Sequence, residues 1–226
     1  MPAFSQIGRQ KELIDSGIQK AKLGDYKAAL KDLDEAVVWD TNEAEPYYNR
    51  GIVKVSMGDY KSAVADFSMV IRMKPGYAEP FFNRGVAKDH LGDYAGAVMD
   101  YRRAIALKPE YPEAYLNSGL ARFDLGDFQK AADDFSRALQ YKPDFAEAFY
   151  NRGLCRFNLK NHFGALEDFN AALTFDSLQY EYYESRGATL ADMGNLDAAI
   201  SDFNTSISLN PDHPDTWLNL GLAYMY

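Results

Sequence analysis

Asparagine returns at regular intervals along this chain, and its side chain has the chemistry to bind peptide groups. Asn49, Asn83, Asn117 and Asn151 stand 34 residues apart, and Asn219 falls in the same register. A side-chain amide carries a donor and an acceptor, which suits it to the C=O and N–H of a peptide group at once. Such a row repeats the same chemistry at a fixed interval, and it requires a repeated element to position it.

The same period of 34 residues runs through the chain. Glycines recur at this spacing with no insertion or deletion: Gly17, Gly51, Gly85, Gly119, Gly153, Gly187 and Gly221. A fixed period of about 20 to 50 residues is typical of a solenoid, whose core is spread along an axis. We therefore predict a single solenoid over 1–226, with repeats at 10–43, 44–77, 78–111, 112–145, 146–179 and 180–213 and a lone first helix at 214–226.

The pattern within one repeat predicts two helices. We number the residues of each repeat from 1 to 34. A large residue at position 4 and glycine at position 8 lie one helical turn apart and predict helix A. Gly-Asp-aromatic follows near position 15 in four repeats, where glycine can take a positive φ and aspartate can cap helix B. Helix B carries alanine at position 20 and an apolar residue at position 24, and proline at position 32 ends it. The fifth repeat has Lys160-Asn161-His162 in place of that turn, and Thr41 and Ser177 replace proline in the first and fifth repeats. These departures predict softer ends for those two repeats.

This pattern resembles the tetratricopeptide repeat family. The resemblance rests on the residues at positions 4, 8, 20, 24, 27 and 32 and covers residues 10–226. It implies an all-α, right-handed α-solenoid of antiparallel helix pairs. In this family positions 2, 5, 6, 9, 12 and 13 of helix A line a concave groove. The small residues at positions 8 and 20 fit this packing, because they let helices A and B approach closely.

Arginine at position 7 and aspartate at position 23 predict an ion pair within each repeat. The arginines are Arg50, Arg84, Arg152 and Arg186, and the aspartates are Asp32, Asp66, Asp100, Asp134, Asp168 and Asp202. A partly buried arginine needs a carboxylate to offset its desolvation, and a basic residue at position 11 can assist. In the fourth repeat Ser118 replaces the arginine, so we expect Arg122 to reach Asp134. A row of arginines for an anionic ligand is the alternative.

The resemblance implies a set of groove residues on helix A. The asparagines resemble the ladder of the O-linked N-acetylglucosamine transferase superhelix, whose amides bind the backbone of an extended peptide. Position 6 supplies Asn49, Asn83, Asn117, Asn151 and Asn219, and position 5 supplies Tyr48, Phe82 and Tyr150. Position 9 supplies Ile52, Val86, Leu120 and Leu154, and position 12 supplies Phe123 and Phe157. The alternative to a binding ladder is that asparagine is simply frequent at position 6 of regular repeats.

Position 2 adds a row of carboxylates, Glu45, Glu79, Glu113 and Glu147. Such a row is either a solvated face with favourable charge at helix N-termini or a site for lysine or arginine of a ligand. The expected partner is therefore a protein or peptide, in an extended segment with apolar and basic residues. Other family members bind the acidic tail of a chaperone with a clamp of lysine, arginine and asparagine side chains. Here position 2 is acidic and positions 5 and 9 are apolar almost throughout, so the clamp is incomplete.

Nothing in the sequence predicts catalysis, a cofactor or a metal. His90, His162 and His213 have no second histidine or carboxylate at a recurrent metal spacing. Cys155 lies among packing residues of helix A without an obvious histidine partner, which indicates a small buried hydrophobe rather than a nucleophile. No glycine-rich phosphate loop is present. We therefore predict no catalytic residues, no metal site and no cofactor.

The composition narrows the partners and the compartment. A net charge of -9 without a run of lysine or arginine excludes nucleic acid as a partner. No stretch approaches the roughly 18 apolar residues of a membrane span, and residues 1–10 show no secretory signal. The lone cysteine cannot form an internal disulfide. These features predict no membrane partner and a cytoplasmic location.

The sequence thus predicts a non-catalytic scaffold that binds an extended peptide through its asparagines and its apolar and acidic rows. One alternative is a homo-oligomer that assembles through the solenoid ends, because Trp217 and Tyr224 lie on a C-terminal helix A with no helix B after it. Another is that the repeats form the targeting arm of a larger enzyme.

Overall fold

The computed structural model describes residues 3–225, with side chains from Gly8 to Met225, and these residues form thirteen α-helices and no strand. The helices are α1 (Ala3–Lys22), α2 (Tyr26–Trp39), α3 (Ala44–Ser56), α4 (Tyr60–Met73), α5 (Ala78–His90), α6 (Tyr94–Leu107), α7 (Pro112–Asp124), α8 (Phe128–Tyr141), α9 (Ala146–Asn158), α10 (His162–Phe175), α11 (Tyr180–Asp192), α12 (Leu196–Leu209) and α13 (Pro214–Met225). Odd-numbered helices are helix A and even-numbered helices are helix B. The predicted all-α class of consecutive helix pairs is confirmed.

The chain divides into two compact units, unit 1 (Met1–Pro109) and unit 2 (Glu110–Tyr226). In unit 1, each of α1 to α5 packs against the next helix, and α3 also contacts α1 and α5. In unit 2, each of α7 to α12 packs against the next helix, and α7, α9, α11 and α13 contact one another in sequence. In both units the A helices therefore lie side by side and present neighbouring surfaces.

The glycine at position 8 gives room to the large residue at position 24 of the same repeat. A Cβ on Gly51 would lie 2.8 Å from Cε1 of Phe67, and one on Gly85 would lie 2.6 Å from Cε1 of Tyr101. Both of these rings are fully buried. The prediction that this glycine serves packing is confirmed. Gly221 on α13 differs, because a Cβ there would meet nothing within 4 Å.

The turn between helices A and B follows the predicted chemistry. Gly24, Gly58, Gly92, Gly126 and Gly194 all have positive φ. The side chains of Asp25, Asp59 and Asp93 accept hydrogen bonds from backbone N–H groups at the start of helix B. In the fifth repeat Lys160 takes the positive φ, at 62°, and Asn161 supplies the cap by accepting from the N–H of Gly164.

Buried aspartates tie helices A and B together. In four repeats the arginine donates at least two hydrogen bonds to its aspartate, forming the pairs Arg50–Asp66, Arg84–Asp100, Arg152–Asp168 and Arg186–Asp202. A second cation at position 11 joins three of these pairs, namely Lys54, Lys88 and Arg156. In the fourth repeat Arg122 lies 2.7 Å from Asp134, and Ser118 also donates to that carboxylate. The predicted ion pairs are confirmed.

The position 4 side chains are less uniformly buried than the sequence predicted. Tyr47 and Phe81 are each 8% exposed, whereas Trp217 is 52% exposed. Two half-buried rings at this position stack on a position 30 ring of the same repeat: Tyr115 on Tyr141 at 5.8 Å and Phe149 on Phe175 at 5.9 Å. Trp217 lies on α13, which packs only on α11 and α12 among the described helices, so one side of its ring faces solvent.

Candidate functional site

In unit 1, predicted groove residues of α3 line one pocket of about 670 Å³. Glu45, Tyr48 and Asn49, from positions 2, 5 and 6, lie on its wall together with Ile18 of α1. Lys74 and Tyr77, from the segment after α4, also line it. These two residues were missed by the sequence analysis, which considered helix A alone. The aromatic residue at position 34, just before the next helix A, was the available signal.

A second pocket of unit 1, of about 310 Å³, shares Ile18 and Asn49 with the first. Ile52 also lines it and is 39% exposed. Asn49 therefore stands where the two pockets meet. The structure brings four predicted residues of α3 to one surface: Glu45, Tyr48, Asn49 and Ile52.

In unit 2, a pocket of about 480 Å³ lies between α11 and α13. Asn219 is on its wall, and Ala188, Ala191 and Leu222 supply apolar surface. Asn219 is half-buried, like the other asparagines of the row. Of the predicted residues in unit 2, Asn219 is the one that this pocket brings to an open apolar surface.

The amides of the asparagine row are already partly used within the chain. Where the preceding repeat carries a polar side chain at position 5, that side chain lies within hydrogen-bond distance of the position 6 residue of the next repeat. Asn83 Nδ2 donates to the Tyr48 hydroxyl at 3.0 Å, and Asn219 Nδ2 lies 3.5 Å from Glu184 Oε1. In the same way the Tyr150 hydroxyl lies 3.3 Å from Ser185 Oγ.

In two repeats that follow an apolar residue at position 5, the amide turns back to its own helix. Asn49 Nδ2 donates to the Glu45 carbonyl at 3.0 Å, and Asn151 Nδ2 donates to the Glu147 carbonyl at 2.8 Å. The preceding position 5 residues are Ile14 for the first of these and Leu116 for the second. The amide oxygens of Asn49 and Asn151 accept no side-chain or cap hydrogen bond from the described residues. Each of these side chains thus offers its amide oxygen as an acceptor and a second Nδ2–H as a donor.

The position 5 aromatics pack inward at one edge and reach the surface with the other. Phe67 and Tyr77 both contact the Tyr48 ring, at centroid distances of 6.0 and 5.5 Å. Burial raises the pKa of Tyr48 above its usual range, so its hydroxyl stays neutral. Phe82 lies 5.8 Å from Tyr101. In unit 2, Tyr150 stacks on Tyr182 at 4.5 Å.

The remaining apolar groove residues are half-buried on helix A. This group consists of Val86, Leu120 and Leu154 at position 9 and Phe123 and Phe157 at position 12. The Phe123 ring contacts Phe128 at 5.1 Å, and the Phe157 ring contacts His162 at 5.4 Å. Both position 12 rings therefore rest on position 17 of their own repeat and fill space beside helix A.

The acidic row lies in the first turn of the A helices. Glu45, Glu113 and Glu147 are exposed. Glu79 is half-buried, and its Oε1 lies 3.7 Å from Lys108 Nζ. Carboxylates in this position interact favourably with the helix dipole, which is the first of the two explanations for the row. Their exposure also leaves them accessible to a basic ligand.

Cys155 is fully buried in the core of unit 2. Burial raises the pKa of its thiol to about 12, so the nucleophilic thiolate is suppressed. The expectation of a small buried hydrophobe is confirmed. Among residues 3–225 no group of three histidine, cysteine, aspartate or glutamate side chains is placed to hold a metal ion. Within the same range no helix has the length and apolar character required to cross a membrane.

Family models match most of the chain. Two models described as "Tetratricopeptide repeat" match residues 116–179 and 44–77, and one described as "TPR repeat" matches residues 90–125 and 187–225. Together these matches cover more than half of the sequence. No curated protein sequence matches the chain.

Solved structures share this architecture. MamA is 24% identical with a TM-score of 0.69, over 71% of this chain and 94% of that chain. YrrB, described as a TPR protein with an unusual peptide-binding site, is 20% identical with a TM-score of 0.71, over 82% of this chain and 95% of that chain. PilF of Pseudomonas aeruginosa is 15% identical with a TM-score of 0.78, over 96% and 97%. At such identities these structures show a shared fold alone.

Proposed function

The chain belongs to the tetratricopeptide repeat family, and from this premise we propose that it is a non-catalytic scaffold whose helix A surfaces bind extended peptide segments. The observation that carries the proposal is the pocket of unit 1, of about 670 Å³, which gathers Glu45, Tyr48 and Asn49. An apolar wall with a few convergent polar groups is typical of a ligand site. The peptide-binding site ascribed to YrrB adds support from a protein of the same fold.

The asparagines hold the peptide backbone in this proposal. The amide oxygens of Asn49 and Asn151 accept backbone N–H groups of the ligand. Each Nδ2 group keeps one N–H on a carbonyl of its own helix and donates the other to a ligand carbonyl. Each net hydrogen bond contributes about 0.5 to 1.5 kcal/mol. Asn83, whose amide is held by Tyr48, contributes less than Asn49.

The apolar and acidic rows select the side chains of the ligand. Tyr48 and Ile52 offer apolar surface in unit 1, and the Glu45 carboxylate is exposed beside them. An extended segment with apolar residues and a lysine or arginine fits this arrangement. Ordering the segment costs part of the gain, so we expect affinities on the order of micromolar.

A selection from a random peptide library tests the proposal. The full chain is used as bait, the recovered peptides are synthesised, and their affinities are measured by fluorescence anisotropy. We expect recovery of extended peptides that bind about fivefold more weakly to Asn49→Ala or Asn151→Ala, each peptide responding to one of the two, because about 1 kcal/mol is lost with each amide. Asn204→Ala is the matched control, because Asn204 is exposed on helix B of the sixth repeat.

Two outcomes would contradict the function. One is a library that yields no peptide above the background of an unrelated helical protein. The other is a set of recovered peptides whose affinities respond to Asn49→Ala and Asn151→Ala no more than to Asn204→Ala. Circular dichroism of each variant confirms that the helices are intact, since these half-buried side chains are not part of the core.

Self-association through α13 is a second candidate function. Its surface exposes a set of large apolar side chains: Trp217 at 52%, Leu218 at 63%, Tyr224 at 66% and Met225 at 80%. Apolar side chains grouped in this way mark interaction surfaces. Sedimentation equilibrium of the full chain should show a dimer that Leu218→Glu dissociates. A monomer at all concentrations excludes this role and leaves peptide binding unaffected.

A further inference from the structure

The residue at position 12 of helix A decides whether the surface beside it is filled or open. Phenylalanine stands there in the fourth and fifth repeats, and each ring contacts the aromatic side chain at position 17 of its own repeat. Alanine stands there in the first and sixth repeats, as Ala21 and Ala191. A methyl group cannot span that distance. The space that a ring occupies in the other two repeats is therefore free beside these alanines.

Both alanines line apolar pockets built from the same repeat positions. Positions 9, 12, 17 and 24 of one repeat and positions 6 and 9 of the next form the walls. In unit 1 these residues are Ile18, Ala21, Tyr26, Leu33, Asn49 and Ile52, around a pocket of about 310 Å³. In unit 2 they are Ala188, Ala191, Leu196, Phe203, Asn219 and Leu222, around a pocket of about 480 Å³. We call them the Ala21 pocket and the Ala191 pocket.

The two pockets carry opposite charges at their rims. Position 13 is Lys22 at the Ala21 pocket and Asp192 at the Ala191 pocket. Both side chains are exposed. Within the described part of the chain, neither forms a salt bridge. Each charge therefore remains available to pair with an opposite charge on a ligand whose apolar side chain enters the adjacent pocket.

We propose that the two pockets are side-chain subsites with opposite charge preferences, an inference that rests on the proposed peptide-binding function. The Ala21 pocket takes an aliphatic side chain that is followed by an acidic residue, because Lys22 lies at its rim. The Ala191 pocket takes an aliphatic side chain that is followed by a basic residue, because Asp192 lies at its rim. The asparagine in each pocket, Asn49 or Asn219, lies beside the ligand backbone.

Two blocked dipeptides test the assignment on the full chain. N-acetyl-Leu-Asp-amide and N-acetyl-Leu-Lys-amide are titrated into ¹⁵N-labelled protein, and amide chemical shifts are followed by NMR. We expect the first dipeptide to shift resonances around Ile18 and Ile52 preferentially. The second should preferentially shift resonances around Ala188 and Leu222. The preference should be about threefold at low salt, because an exposed ion pair contributes modestly, and salt should reduce it.

Filling each pocket provides the matched variants. Ala21→Phe should abolish the shifts around Ile18 alone, and Ala191→Phe should abolish those around Leu222 alone. Both changes copy the phenylalanine that position 12 already carries in two repeats, so the fold accommodates them. Ala65→Phe, at an exposed position of helix B, controls for an added ring. Lys22→Asp should reverse the charge preference of the Ala21 pocket.

The possible results separate this inference from the proposed function. The inference is overturned if neither dipeptide shifts these resonances, if both pockets respond equally to both dipeptides, or if the filled variants respond like Ala65→Phe. Library peptides that respond to Asn49→Ala but not to Ala21→Phe would overturn the subsites and leave the proposed function standing. Dipeptide shifts that vanish in the filled variants, together with a library that yields no binder, would support the pockets and reject extended peptide binding.

Discussion

In unit 1 the Ala21 pocket is bordered by Lys22 and Asn49, whereas in unit 2 the Ala191 pocket is bordered by Asp192 and Asn219. The walls come from the same repeat positions, because the glycine at position 8 and the large apolar residue at position 24, which pack helix A on helix B, recur in each whole repeat. The charge at the rim differs, because position 13 is exposed and no packing contact selects its residue. Sites on this scaffold thus share their geometry and differ in their chemistry.

The asparagines of the two pockets also occupy the same repeat position and differ in their hydrogen bonds. Asn49 follows a repeat with Ile14 at position 5, and its amide turns back to its own helix. Asn219 follows a repeat with Glu184 at position 5, and its amide faces that carboxylate. A residue one repeat away therefore decides how an asparagine is presented. The comparison between the units can be tested in four ways.

The largest single effect should come from the buried ion pairs. Asp202 of unit 2 pairs with Arg186 and has no second cation among the described residues, whereas Asp66 of unit 1 pairs with both Arg50 and Lys54. We expect Arg186→Ala to lower the free energy of unfolding by about 3 kcal/mol, because a buried charge loses its partner. Arg50→Ala should cost about 1.5 kcal/mol, because Lys54 remains.

Urea unfolding measures both changes, since each unit contains one tryptophan. Trp217 reports on unit 2 in a Trp39→Phe background, and Trp39 reports on unit 1 in a Trp217→Phe background. In unit 1, adding Lys54→Leu to Arg50→Ala should raise the cost to that of Arg186→Ala. Equal costs for the two arginine variants, with Lys54 intact, would show that the second cation contributes nothing.

The next difference concerns the glycine at position 8. A Cβ on Gly51 would lie 2.8 Å from the buried Phe67 ring, but one on Gly221 would meet nothing within 4 Å. We expect Gly51→Ala to destabilise unit 1 by about 1 to 2 kcal/mol, since overpacking outweighs the better helix propensity of alanine. Gly221→Ala should instead stabilise α13 by about 0.5 kcal/mol. Thermal unfolding monitored by circular dichroism distinguishes these opposite signs, and a stabilising Gly51→Ala would contradict the packing role.

The turns of the two units differ at one residue. All three turns between helices A and B in unit 1 place glycine at the positive φ, whereas unit 2 uses Lys160 in one of its turns. We expect Lys160→Gly to raise the free energy of unfolding of unit 2 by about 1 kcal/mol, because glycine relieves the strain of this conformation. The Trp217 reporter in urea measures the gain, and Lys160→Ala is the control that should show none. A gain of equal size in both variants would mean that the lysine side chain, rather than its backbone, is unfavourable.

The smallest difference should arise from the link between positions 5 and 6. Tyr48 accepts from Asn83 at 3.0 Å, and Tyr150 lies 3.3 Å from Ser185. Tyr48→Phe should cost about 1 kcal/mol and Tyr150→Phe about 0.5 kcal/mol, because the longer contact is the weaker hydrogen bond. Urea midpoints with the tryptophan reporter of each unit compare them. A larger cost for Tyr150→Phe would contradict this order of hydrogen-bond strengths.

Several site residues could be placed from the sequence because the resemblance to the tetratricopeptide repeat family assigns repeat positions to a groove. This resemblance placed Glu45, Tyr48 and Asn49 on one surface, and they line one pocket. It did not predict that Lys74 and Tyr77 would join them, because the path of a loop depends on how the next helix docks. Nor did it predict the bond from Asn83 to Tyr48, because that contact links different repeats.

By itself, the sequence determined the helix pairs, their turns and the pairing of arginine with aspartate. Each of these depends on interactions within one repeat of 34 residues, where spacing along the chain sets distance in space. The tertiary structure alone decided which amides remain available and where a pocket opens. Those features lie between successive repeats, where the size and polarity of side chains from two A helices together determine the space and the hydrogen bonds left for a ligand.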